Sequence, residues 1–190
     1  VVSMAQYPEQ EMPMNAPHSD WAEQNTTDWW AAACLATRKM LASSAVSVHQ
    51  IAGIGIAYQM HGLVLLSKAG TVLRPSIIWC DSRAVDIGNQ AFKALGTSFC
   101  LEHYLNSPGN FTASKLRWVR ENEPEIFSQI DKIMLPGDYI AYRMTGEILT
   151  TITGLSEGVF WDFKKNTLAY DLLEYYEIPS RMLPRVTPVF

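Results

Sequence analysis

The order of elements in these 190 residues predicts an α/β domain. Three observations carry that class. Ile51-Ala52-Gly53-Ile54-Gly55-Ile56-Ala57 is apolar on both faces, the pattern of a strand covered on each side. Leu63 to Leu66 and Val72 to Ile78 read as an antiparallel hairpin turned at Lys68-Ala69-Gly70, where glycine can take a positive φ. Around them, apolar residues recur at the 3.6-residue period of helices. A hairpin among such units argues against a simple doubly wound repeat.

The elements follow in order. Val1 to Tyr7 alternates like a strand, and Pro8, Pro13 and Pro17 then hold residues 8–20 in a loop. Asn25 is a helix N-cap with Asp28 three residues on. The helix it opens carries Trp29, Trp30, Ala33, Cys34, Thr37, Met40 and Leu41 on one face and ends near Ser43 and Ser44. Ile51 to Ala57 is the central strand, and the hairpin comes next. Asp81 stands where a helix can start, running through Val85 and Ile87 toward Leu95. A loop at Asn106 to Asn110 precedes a helix with Leu116, Trp118 and Val119. Pro124, at a first-turn position, opens a short helix bearing Ile126, Phe127 and Ile130. Ile133 to Leu135 reads as a strand, Asp138 to Met144 as a helix stopped by Gly146, and Leu168 to Tyr176 as a last helix before a proline-punctuated tail.

Composition excludes several functions. Apolar residues are 48% and charged residues 18%, which is globular and far from disorder. The net charge is 15 − 19 = −4 without a basic block, against a nucleic-acid or polybasic membrane footprint. The apolar stretch Ile51 to Leu66 is interrupted by Gln59 and His61 and is too short to span a bilayer. Cys34, Cys80 and Cys100 are scattered, as are the four histidines, so neither a disulfide framework nor a zinc site is expected. Reduced cysteines and the lack of a leader pattern point to the cytoplasm. Both ends read as cut through ongoing structure, the expectation for part of a longer protein. An isolated piece of that kind is expected to leave a sheet edge and an apolar face uncovered.

Function is concentrated where the central strand ends. Gln59, Met60 and His61 serve no purpose in a strand, and Gly62 then turns the chain. Ligands of open α/β sheets sit at such strand ends. His61 offers a donor and an acceptor, which suits a hydroxyl, although a core histidine satisfied by backbone is the plainer alternative. Met60 alone reads as core filler and Trp79 alone as a buried strand aromatic. Asp81 and Arg83 divide between helix capping with ion pairing and a pocket role. Lys115 reads as a solvated helix lysine, since no glycine-rich phosphate cradle surrounds it. Gly53-Ile54-Gly55 lacks the third glycine of a dinucleotide fingerprint.

Several blocks in consecutive order resemble the FGGY carbohydrate kinases, and within them the xylulose kinases. They are Trp21-Ala22-Glu23-Gln24 with Asp28-Trp29-Trp30; Gln59-Met60-His61-Gly62; Leu73 to Arg83; Asn110 to Val119; Leu135-Pro136-Gly137-Asp138-Tyr139; and Arg143-Met144-Thr145-Gly146-Glu147. The resemblance implies a ribonuclease H-like (actin-like ATPase) fold, with residues 1–190 as the incomplete first lobe of a two-lobed sugar kinase. It implies phosphorylation of D-xylulose to D-xylulose 5-phosphate, with a kinase for another sugar or polyol, or a non-catalytic binding module on the same fold, as alternatives. Met60 and His61 become the sugar-binding pair and Trp79 an apolar wall, with Gln59, Asp81 and Asn110 as further substrate-binding residues. ATP and Mg2+ are implied, bound mainly by parts outside this chain, where the general-base aspartate is also expected, beyond Phe190. The partner is a small sugar, with neither nucleic acid nor membrane; a homodimer is compatible with the resemblance.

Overall fold

A computed structural model describes residues 1–189; Phe190, at the end of the proline-punctuated tail, lies outside the described residues. In chain order these form β1 (Glu23–Gln24), α1 (Thr26–Ala42), β2 (Val64–Leu66), β3 (Ser76–Ile77), α2 (Val85–Leu95), α3 (Thr97–His103), α4 (Thr112–Asn122) and α5 (Pro124–Ser128). Then come β4 (Lys132–Met134), α6 (Pro136–Thr145), β5 (Leu149–Thr150), α7 (Ile152–Glu157), β6 (Trp161–Asp162), β7 (Thr167–Leu168), α8 (Tyr170–Tyr175) and β8 (Arg185–Val186).

The hairpin organises the molecule. β2 pairs antiparallel with β4, Leu65 opposite Ile133, and β1 pairs antiparallel with β3. A bridge between Leu63 and Ile77 joins the two pairs in the order β1-β3-β2-β4. At the turn Gly70 takes φ +75°, and the Leu73 N–H donates to the Leu65 carbonyl, so the expected hairpin forms. Its second arm is interrupted at Arg74-Pro75, because proline has no N–H to give to a ladder. Every residue of β2 is buried. Leu63, Leu65 and Ile77 pack with Leu116 and Val119 of α4, while Val64, Leu66, Met134 and Tyr139 form a second core on the opposite face. Burying each such side chain contributes about 1.5–3 kcal/mol.

Two expected strands are absent. Ile51 to Ala57 is extended but unpaired, and Ile54 is 70% exposed. No backbone–backbone hydrogen bond joins residues 52–60 to the other described residues. Apolar sequence gives a strand only where a neighbouring backbone accepts its N–H and C=O groups. Val1 to Tyr7 fails for the same reason: Val1, Val2 and Met4 are exposed, and Ser3 Oγ merely donates to the Met40 carbonyl at the end of α1.

Smaller departures have local causes. The helix expected at Asp81 begins at Val85, because the Asp81 carboxylate is spent on Arg83 and the Ala22 N–H. Gly96, at φ +95°, divides α2 from α3, a helix the sequence did not announce. Leu168 belongs to β7, paired with β6, and α8 starts two residues later. The tail adds β8, parallel to β5. Asn25 stands at the N-cap of α1, though its side chain makes no capping bond. Gly146 closes α6 in the left-handed conformation, as expected.

Candidate functional site

The corner from Tyr58 to Gly62 joins the unpaired segment to the buried hairpin. The sequence assigns the turn to Gly62; the structure assigns it to His61, which adopts φ +58°. A left-handed non-glycine residue costs about 1–2 kcal/mol, so it persists only where neighbours hold it. Gly62 is needed for a different reason. A Cβ there would overlap Pro136 Cγ at the start of α6.

Both backbone polar groups of His61 are held by charged side chains. Its N–H donates to Glu157 Oε1 at 2.7 Å, and its carbonyl accepts from Lys115 Nζ at 2.9 Å. The imidazole lies edge-on to Phe111, with ring centroids 4.3 Å apart, and places Nδ1 3.3 Å from the Glu157 carbonyl. A carbonyl partner assigns the proton to Nδ1 and leaves Nε2 as an acceptor. Nε2 has no hydrogen-bond partner among the described residues. Burial lowers the His61 pKa against the opposing pull of Glu157, favouring that neutral form.

Lys115 corrects the sequence reading. Instead of a solvated lysine it is fully buried, and Nζ also donates to the Ile78 carbonyl at 2.8 Å. One ammonium thus ties the His61 corner to the chain entering Trp79. Burial pushes its pKa down to about 8, with Asp81 pulling the other way. The signal was present in the sequence, since residue 115 shares a helical face with Phe111, Trp118 and Val119. Glu157 gave no such signal: it lies 96 residues from His61, at the end of α7. Its Oε2 accepts from the Tyr58 hydroxyl at 2.9 Å, and burial, then Glu157, raises the Tyr58 pKa. Asp138 lies close enough to sense Glu157, and burial pushes its carboxyl up to about 6 despite hydrogen bonds from Thr150 and Leu135.

The other expected residues divide. Met60 and Trp79 are about half exposed, at 49% and 55%, so each presents an apolar face outward and neither is core. Asn110 Nδ2 donates to the Asp81 carbonyl, while Asn110 Oδ1 is buried without a partner. Asp81 departs from the substrate-binding expectation. Its carboxylate is 0% exposed and accepts from the Ala22 N–H, the Arg83 N–H and the Arg83 guanidinium, leaving no face for a ligand. Arg83 continues to Glu23 and lies 3.9 Å from the Trp21 ring centroid. Removing one member of such a buried ionic set costs about 3–5 kcal/mol. Gln59 faces a different surface. Its Nε2 donates to Gln24 Oε1 at 3.3 Å, and it lines an apolar groove of about 400 Å³ with Trp29, Ile54 and Pro136.

Among the described residues no three His, Cys, Asp or Glu side chains are grouped to hold a metal ion. No helix among them is long and apolar enough to cross a membrane.

Comparison with known proteins gives a consistent set of relatives. Residues 2–189 match the FGGY family of carbohydrate kinases, N-terminal domain. A xylulose kinase of Klebsiella pneumoniae is 34% identical over 175 residues, covering 92% of this chain and 36% of the relative. A glycerol kinase of Thermococcus kodakarensis is 29% identical over 180 residues, covering 93% of this chain and 36% of that protein. The crystal structure of xylulose kinase from Rhodospirillum rubrum superposes with a TM-score of 0.84 at 28% identity, covering 94% of this chain and 37% of that one. The chain therefore spans little more than a third of the length of these relatives, and its α/β architecture is that of the ribonuclease H-like, actin-like sugar kinases.

Proposed function

The chain belongs to the FGGY family of carbohydrate kinases, and from that premise we propose that it supplies the sugar-binding wall of an ATP-dependent xylulose kinase acting in the cytoplasm. The reaction would turn D-xylulose into D-xylulose 5-phosphate. The observation that carries this reading is the His61 imidazole, held neutral in a strained turn with Nε2 open as an acceptor. A sugar hydroxyl donates to Nε2, while Asn110, whose Oδ1 is buried, supports the site from behind by donating Nδ2 to the Asp81 carbonyl. The outward faces of Met60 and Trp79 cover the C–H side of the sugar. Asp81 and Gln59 act behind this surface. Asp81 fixes the chain between Trp79 and Arg83, and Gln59 braces the corner against Gln24. An analogue lacking a recognised hydroxyl leaves buried polar atoms unpaired and is rejected for that reason.

Kinases of this family use ATP, typically with magnesium. The described residues form neither a glycine-rich phosphate cradle nor a carboxylate cluster for the cation. The part of this chain is to hold and orient the acceptor hydroxyl. The glycerol kinase relative favours a second reading, a kinase for another polyol. Calorimetric titration of the chain with D-xylulose, glycerol, D-ribulose and D-gluconate separates the two. Preference for D-xylulose is expected; equal or absent preference would reject the assignment.

A further inference from the structure

We propose that Glu157, acting with Lys115, is a positioning residue that clamps His61 in its left-handed turn and thereby fixes the imidazole. The clamp itself follows from geometry; only its effect on ligand binding rests on the reading of His61 as a sugar contact.

Glu157 meets the corner three times. Oε1 accepts from the His61 N–H, Oε2 accepts from the Tyr58 hydroxyl, and its own carbonyl faces His61 Nδ1. From the other side the Lys115 ammonium holds the His61 carbonyl. An anion on the N–H and a cation on the C=O make both bonds charge-assisted, roughly twice as strong as neutral ones. Such bonds are of the size needed to hold a non-glycine residue at φ +58°. The two clamp residues are also tied to each other's elements. The N–H of Ala113, in the first turn of α4, donates to the carbonyl of Gly158, the residue after Glu157, at 3.1 Å. A side chain at Gly158 would run into Phe160, so this joint is closely fitted. Glu157 therefore sets the backbone angle, the ring orientation and the tautomer of one residue together.

The test uses nitrogen-15 NMR of the His61 imidazole and amide in the 190-residue chain, with Glu157→Ala and Glu157→Gln beside the unmodified protein. Glu157→Ala, which removes the carboxylate and keeps the main-chain carbonyl, is expected to shift the His61 amide and weaken D-xylulose binding about tenfold, the scale of one lost charge-assisted bond. Glu157→Gln keeps a carbonyl acceptor for the His61 N–H and is expected to retain most of both signatures. A second measurement does not depend on sugar. Glycine at position 61 keeps the bonded N–H but carries no left-handed strain, so Glu157→Ala should lower the melting temperature more in a His61→Gly background than in the parent, where relief of strain offsets part of the lost bond. Unchanged His61 signals in Glu157→Ala, or an equal loss in the two backgrounds, would overturn the clamp. Shifted signals in a protein that does not bind D-xylulose would keep the clamp and reject the sugar assignment.

Discussion

Ile51 to Ala57 and Leu63 to Leu66 are two apolar segments separated by five residues, and the structure treats them oppositely. The second is fully buried and paired with β4; the first is unpaired, with Ile54 facing solvent. Hydrophobic content does not distinguish them. What differs is the supply of backbone partners: Lys132–Met134 and the Val72 to Ile77 arm flank the second segment, and no described strand flanks the first. The candidate site is the joint between the two, where one rigid and one loosely held segment meet at His61.

The sharpest way to break this contrast is to truncate both sides of it. Leu65→Ala, in the buried segment, is expected to cost about 2–5 kcal/mol in urea unfolding, with the spread set by how far the cavity collapses. A loss below 1 kcal/mol would mean that the hairpin is not the organising core.

An effect of about 2–3 kcal/mol is expected from the lysine that ties the rigid segment to the corner. Unfolded, Lys115 keeps its proton to about 10.5; folded, it releases it near 8. Between those values the unfolded state binds the extra proton, so stability contributed at Lys115 rises as pH climbs from 8 toward 10. Unfolding at pH 7 and pH 10 should thus show the parent gaining on Lys115→Met by that amount. A pH-independent difference would place the ammonium in solvent.

The smallest effect belongs to the loose segment. Ile54→Ala should change stability by no more than about 0.5 kcal/mol, as for other exposed sites. Amide hydrogen exchange gives the same contrast without mutation: rapid at residues 52–57 and strongly protected in β2. Protection at 52–57 equal to that of β2 would show a partner strand there.

The contrast also explains what the sequence disclosed. The hairpin, α4 and α6 were legible because their signals are local: a turn glycine at 70, helical periods through Leu116 and Val119, a left-handed stop at Gly146. The two strands read at Ile51 and Val1 failed because pairing is not local. Lys115 is legible in its spacing, on one face with Phe111, Trp118 and Val119, although a lone helix lysine without a phosphate cradle reads as solvated. Glu157 was not legible at all, since its contact with His61 joins residues 96 apart. For Asp81 and Arg83 the sequence offers capping with ion pairing or a pocket role; the Asp81 carboxylate pairs with Arg83 two residues on, and its burial and its bond to the Ala22 N–H are what only the fold identifies.

The most direct test of the joint as a sugar site is D-xylulose titration of the parent chain and His61→Ala, followed by calorimetry with circular dichroism as a check on folding. The expected result is saturable binding by the parent, preferred over glycerol and weakened about tenfold or more in a fully folded His61→Ala protein, the loss of one buried hydrogen bond or more. Equal affinity of the two proteins for D-xylulose would contradict it.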